Sequence, residues 1–182
     1  MSDFDDITVG IKTFYRTDKL KKTLESLIGL GVKEVIVADD GNPTEEKEKL
    51  YDEMKQYLPL KVLKLPYDTG LGYGRKKIVE KCKTKYLLMI DDDMEVFDIA
   101  HLKTILEEDM ELGGVAGCLI EYGKIKSSVC NLGYKEGYII RDVPKDINIK
   151  FVGNVPYILF DFIPNAALFR TKALKDYVWD KN

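Results

Sequence analysis

The run Tyr86-Leu-Leu-Met-Ile90, followed at once by Asp91-Asp92-Asp93, leaves few choices for the chain around it. It is too short to span a membrane and too uniformly apolar to be a half-exposed strand, so it reads as a strand buried on both faces of a parallel sheet. Ligands of such sheets bind beyond the carboxyl ends of the strands. The three carboxylates stand at such an end, and if the extended path continues, side-chain alternation sends Asp91 and Asp93 to one side. Paired carboxylates repel, and a hard cation such as Mg²⁺ or Mn²⁺ relieves that repulsion, with water and phosphate oxygens filling its remaining positions. The competing reading is a solvated acidic turn in which Asp98 caps the following helix.

The flanking sequence repeats the strand signal. Ile7 to Ile11 and Glu34 to Ala38 read as strands, as does Leu60 to Leu65. Between them, Leu20, Leu24, Leu27 and Ile28 mark one face of a helix over 18–30, with Gly31 as a left-handed cap. Leu50, Met54, Tyr57 and Leu58 mark a second helix, opened by Asn42 and Pro43 with Glu45 placed for a capping-box contact. A glycine-rich loop, Thr69 to Gly74, opens a third helix that runs through Lys83. Strand and helix thus alternate three times with short connections, which predicts an α/β fold with a doubly wound, mostly parallel sheet. Beyond a helix over 98–112 and a strand over 115–120 the chain becomes strand-rich, punctuated by Gly123, Gly133, Gly137 and Gly153.

At 182 residues, 45% hydrophobic and 32% charged, the chain suits one globular domain, 1–182, and its net charge of -3 argues against a nucleic-acid binder. Six cations between Arg75 and Lys85 suit either an anionic substrate, an anionic membrane surface or a solvated helix face. Cys82, Cys118 and Cys130 lack metal or disulfide spacing and read as reduced thiols. With no apolar leader and no stretch long enough for a span, a cytoplasmic location is expected.

Asp39-Asp40-Gly41 ends the second strand, so the predicted topology puts it on the same rim as Asp91 to Asp93. Such a carboxylate can accept from a base N–H or a ribose hydroxyl, or it can close its own turn. The glycines at 70, 72 and 74 can bring backbone N–H groups to a phosphate, or simply turn the chain; the spacing is neither that of a dinucleotide fold nor that of a P-loop. Arg75 beside that loop offers a bidentate grip on a diphosphate. His101 is the sole histidine and reads as a surface residue. Phe14, Tyr15 and Tyr73 are core or crevice aromatics.

In order along the chain, Ile11-Lys-Thr-Phe-Tyr-Arg16, Val37-Ala-Asp-Asp-Gly41, Gly70-Leu-Gly-Tyr-Gly-Arg75 and Leu88-Met-Ile-Asp-Asp-Asp93 resemble the family 2 glycosyltransferases of the GT-A fold. With Ile163-Pro-Asn-Ala-Ala-Leu-Phe-Arg170 the set is most similar to the β-1,4-N-acetylgalactosaminyltransferase branch. The resemblance implies that a sugar moves from a nucleotide diphosphate donor, with a UDP-sugar favoured, to an acceptor hydroxyl, with inversion and with Mn²⁺ or Mg²⁺ as cofactor. It implies a nucleotide-sugar half, 1–97, and an acceptor-side half, 98–182. Thr13, Asp39, Asp40, Gly70, Gly74, Arg75, Asp91 and Asp92 would meet the donor, and Asp93 with Asp91 the metal. The family's catalytic base lies beyond the segment matching Trp179-Asp180, which leaves Asp161 as a substitute and raises alternatives: a truncated piece of a longer enzyme, a base supplied by a partner, or a nucleotide-sugar-binding module or remnant without turnover. A sugar nucleotidyltransferase is a further alternative, but would carry a basic glycine-rich loop where Thr13-Phe-Tyr-Arg16 stands.

Overall fold

Alternation of apolar side chains to both faces decides how the central strands pack. In the computed structural model, which describes residues 4–126, 128–142 and 147–175, these are β1 (Ile7–Thr13), β2 (Glu34–Asp39), β3 (Leu60–Lys64) and β4 (Tyr86–Asp91). Val35, Val37, Leu88 and Ile90 join one apolar cluster, whereas Ile36, Ala38, Leu87 and Met89 join another on the opposite face. Each face needs its own cover. The first is covered by α1 (Thr17–Ser26), α2 (Glu45–Met54) and α4 (Ala100–Glu108), through Leu20, Leu24, Leu50, Met54 and Leu106. The second is covered by α3 (Gly70–Lys81), through Ile78 and Val79, and by Leu174 of the short α5 (Thr171–Lys175).

The strands run parallel in the order β3-β2-β1-β4, as the alternation predicts. Next to β4 lies β12 (Ala167–Arg170), antiparallel, with Leu168 opposite Leu88, and β5 (Gly114–Ala116) completes the six-stranded sheet. Between β5 and β12 the chain forms three hairpins: β6 (Leu119–Glu121) with β7 (Lys124–Lys126), β8 (Asn131–Lys135) with β9 (Tyr138–Asp142), and β10 (Ile149–Val152) with β11 (Val155–Ile158). None of the helices among the described residues is long and apolar enough to cross a membrane.

Several boundaries differ from expectation. Helix α1 ends at Ser26, because the next amides bond three residues back (Leu27 to Leu24, Ile28 to Glu25), so the turn tightens and Ile28 points to solvent. Tyr57 likewise lies past α2 and is exposed. The cap of α2 is Thr44, whose hydroxyl accepts from Lys47 N, and the third helical position is a lysine rather than the acid a capping box needs. The expected single strand over 115–120 is split between β5 and β6, which belong to different sheets. The glycine-rich stretch is not a loop: Gly70 to Gly74 form the first turn of α3.

Candidate functional site

Because β1 lies between β2 and β4, the rim where these three strands end is where both acidic motifs meet. Thr13 is in register with Asp39, and Lys12 with Asp91. Asp39, buried, accepts from Lys47 Nζ at 3.1 Å, Gly41 N at 3.0 Å and the Tyr51 hydroxyl at 2.6 Å. Burial, then the bond to Asp39, raises the Tyr51 phenol far above its ordinary pKa. Lys47 also donates to the Phe14 carbonyl at 2.7 Å and reaches Thr13 Oγ1 at 3.4 Å. A fully buried ion pair is stable only with its remaining hydrogen bonds made, and here they are.

Asp40 is equally buried. Its Oδ1 takes Lys12 Nζ, and its Oδ2 accepts from Gly70 N at 2.9 Å and Thr69 Oγ1 at 3.3 Å. A carboxylate supplied from another strand therefore satisfies an open amide at the start of α3. Gly70, at φ +85°, makes the turn into the helix, and Gly74 lets the helix lie on the Lys12 stem, since a Cβ there would stand 2.3 Å from Lys12 Cδ. Of the amides expected near a phosphate, that of Gly70 is bonded to Asp40.

On the other side of β1, Thr13 Oγ1 donates to Asp92 Oδ2 at 2.7 Å. Arg16 spans the next two acids, donating through Nη2 to Asp92 Oδ1 and through Nη1 to Asp93 Oδ2 at 2.7 Å. Asp91 faces away from them: its Oδ1 accepts from Arg75 Nη2 at 2.8 Å, and Asn165 Nδ2 lies 3.2 and 3.3 Å from its two oxygens. The strand ends at Asp91 and residues 92–93 turn, so the expected projection of Asp91 and Asp93 to one side is corrected: Asp93 shares a cation with Asp92 instead. Asp98 accepts from Ala100 N at 2.8 Å but stands one residue before the cap position, Ile99, which has no side-chain cap bond, so the expected Asp98 cap is corrected.

Asp161 is exposed, and its hydrogen bonds are with β8. Its Oδ2 accepts from Leu132 N at 2.9 Å, and its own amide lies 3.3 Å from Asn131 Oδ1. Trp179 and Asp180 lie outside the described residues. Of the basic stretch, only Arg75 turns into the rim; Lys77 pairs with Glu80 at 2.7 Å on the surface of α3.

Lys12, Arg16, Lys47, Tyr51 and Asn165 were given no role by sequence reasoning, although the first two stand in a quoted motif, as does Asn165. An aromatic cluster completes the rim. The Phe14 ring lies 4.0 Å from Tyr15 and 5.6 Å from Tyr67, whose hydroxyls are 2.7 Å apart, and Tyr73 is not part of it. The bond to Tyr67 raises the Tyr15 phenol.

Five carboxylates (39, 40, 91, 92, 93) and four cations (Lys12, Arg16, Lys47, Arg75) leave the rim one negative charge in excess. No group of three or more His, Cys, Asp or Glu is arranged to hold a metal among the described residues. What the rim offers is two partly exposed carboxylates, Asp93 at 39% and Asp91 at 30%, beside a deficit of positive charge. That donor set suits Mg²⁺ or Mn²⁺, which draw most of their ligands from water and substrate phosphate.

Residues 8–178 match the profile of Glycosyl transferase family 2. The chain belongs to this family. Among curated relatives it is 33% identical over 183 residues to human Beta-1,4 N-acetylgalactosaminyltransferase 1, an alignment covering 96% of this chain and 33% of that protein. It is 32% identical over 114 residues to the mouse Beta-1,4 N-acetylgalactosaminyltransferase 2, covering 61% of this chain and 21% of the relative. The family 2 chain therefore spans a third or less of the curated relatives it matches. Among solved structures, S. aureus TarS 1-349 in complex with UDP-GlcNAc superposes with a TM-score of 0.61 at 19% identity, over 94% of this chain and 47% of that one. The mannosyltransferase PcManGT from Pyrobaculum calidifontis, in complex with GDP-Man and Mn2+, gives 0.54 at 16% identity, over 64% and 36%. These structural matches show a common GT-A fold.

Proposed function

We propose that this family 2 chain binds a nucleotide diphosphate sugar, with a UDP-sugar favoured, at the β2-β1-β4 rim and transfers the sugar to an acceptor hydroxyl with inversion, using Mn²⁺ or Mg²⁺. The observation that carries this reading is the junction at Thr13: one hydroxyl lies between the Asp39–Lys47 pair and the Asp92–Arg16 pair, so both acidic motifs meet on one rim. The solved relatives' complexes with UDP-GlcNAc and with GDP-Man and Mn2+ favour the same ligand class.

In this reading the base lies near Thr13 and Asp40, with the Phe14, Tyr15 and Tyr67 rings as an apolar wall. Asp40 has its oxygens engaged, so a base N–H shares Oδ2 with Thr69 and Gly70 N. Arg75, whose Nε is buried without a partner among the described residues, holds Asp91 and faces the diphosphate side. Asp92 would meet the ribose and Asp93 the metal. A divalent cation bound there supplies neutralisation of the charge that grows on the departing nucleoside diphosphate. Asp161 is the candidate proton acceptor for the acceptor hydroxyl.

A second reading, a nucleotide-sugar-binding module without turnover, is favoured by the engagement of Asp161 with Leu132 N. One experiment separates them: nucleotide-sugar binding and donor hydrolysis are measured separately with Mn²⁺ over a donor panel. Metal-dependent binding with turnover supports the transferase; binding alone supports the module. Asp93→Ala is expected to abolish metal-dependent nucleotide binding while the circular dichroism spectrum stays unchanged, and an unaltered affinity refutes the metal role.

A further inference from the structure

The acids at the end of β4 are not held alike. Asp91 is gripped by the buried Arg75 and by Asn165, from two distant elements. Asp92 and Asp93 share one guanidinium, that of Arg16, whose side chain is 55% exposed. The two arms of this fork differ in strength. Asp92, 2% exposed and also bonded by Thr13 Oγ1, is a buried anion that cannot lose its cation cheaply. Asp93, 39% exposed, is partnered in a setting where ion pairs contribute little and water readily takes over. The planar fork sends one Nη to each carboxylate, where a lysine would offer a single ammonium to both. The backbone beneath it is fixed: Arg16 O accepts from Leu20 N at 2.9 Å, the first turn of α1, and Thr17 N donates to Tyr15 O at 2.8 Å.

We propose that Arg16 is a built-in counter-cation of the acidic strand end, holding Asp92 and Asp93 in place until a divalent cation takes Asp93, while its other arm keeps Asp92. This rests on the metal reading of Asp93 given above. Arg16 is a positioning residue here, and its release from Asp93 sets how tightly metal binds before nucleotide arrives. The sign of the effect separates it from a merely structural role. Were Arg16 only a brace, removing it would disorder the acids and weaken metal binding; as a competitor for Asp93, its removal tightens it.

The test is titration of the full chain with Mn²⁺ alone, read by the electron paramagnetic resonance of free Mn²⁺, with thermal melts checking that each variant folds. Arg16→Gln is expected to bind Mn²⁺ about tenfold more tightly, which corresponds to ~1.4 kcal/mol of competition removed. An equal or weaker constant overturns the proposal. Arg16→Lys, a shorter-reaching point charge without the fork, is expected to fall between Arg16→Gln and wild type; if Arg16→Gln does not fold, a wild-type constant in Arg16→Lys overturns the proposal equally. Asp93→Asn distinguishes the two layers: loss of Mn²⁺ binding there with no gain in Arg16→Gln sinks the Arg16 role alone, and retained binding sinks the metal site beneath it.

Discussion

Lys47, Asp39 and Tyr51 form the most tightly buried charged group on the rim, and their energetics follow from that burial. Lys47→Met strands an anion with only a phenol and an amide for company, and is expected to cost about 3–5 kcal/mol in urea unfolding. Adding Asp39→Asn to it should recover part of that loss, since no charge is then left uncompensated. Tyr51 makes a pH-dependent contribution of definite sign. Its folded pKa is raised above 10.0, so above about pH 10 the unfolded chain releases a proton that the native state keeps, and stability falls as pH rises. The stability gap between wild type and Tyr51→Phe should therefore narrow above pH 10, and a constant gap would contradict the assignment. At this scale the acids were legible in the sequence and their partners were not. Consecutive aspartates at the end of an apolar strand stand out, whereas Lys47 sits in Glu45-Glu-Lys-Glu-Lys49 and reads as one more solvated charge. Only its four-residue spacing to Tyr51 and its place beside Leu50 carried a signal.

Among the elements, α3 depends most on what lies beneath it. Gly10 lets it lie close to the sheet: a Cβ there would stand 2.5 Å from Ile78 Cγ2 and 3.2 Å from Leu87 Cδ1. Ile78 is buried and branched, so Gly10→Ala is expected to destabilise by about 1–3 kcal/mol in denaturant unfolding. A change within a few tenths would mean that α3 is free to ride outward. The same helix shows why local reading stopped short. Three glycines in five positions argue for a loop by propensity, yet Asp40, just past β2, supplies the start and the sheet supplies the packing, and neither is visible in a window around Gly70. The strands were easier, since a run buried on both faces announces itself by composition.

For the molecule as a whole, the strand alternation in residues 7–91 was enough to foresee the parallel sheet and, through its topology, the rim where the two acidic strand ends meet. What escaped was β12, four residues that pair antiparallel with β4 from 80 positions away at the Leu168–Leu88 match. Nothing local marks them for that edge. The expected division at residue 97 accordingly runs through one sheet. A fragment of residues 1–97 would leave the far edge of β4 unpaired, with its apolar side chains uncovered. Such a fragment should bind a hydrophobic dye and lack a cooperative urea transition; a sharp transition would show that the first half is self-sufficient.

Asn165 reaches Asp91 across 74 positions of sequence. A ribosome must therefore have released most of the described chain before the acid at the end of β4 gains its second neighbour. Nascent chains stalled at successive lengths should stay open to protease around Asp91 until residue 170 has emerged, then close abruptly.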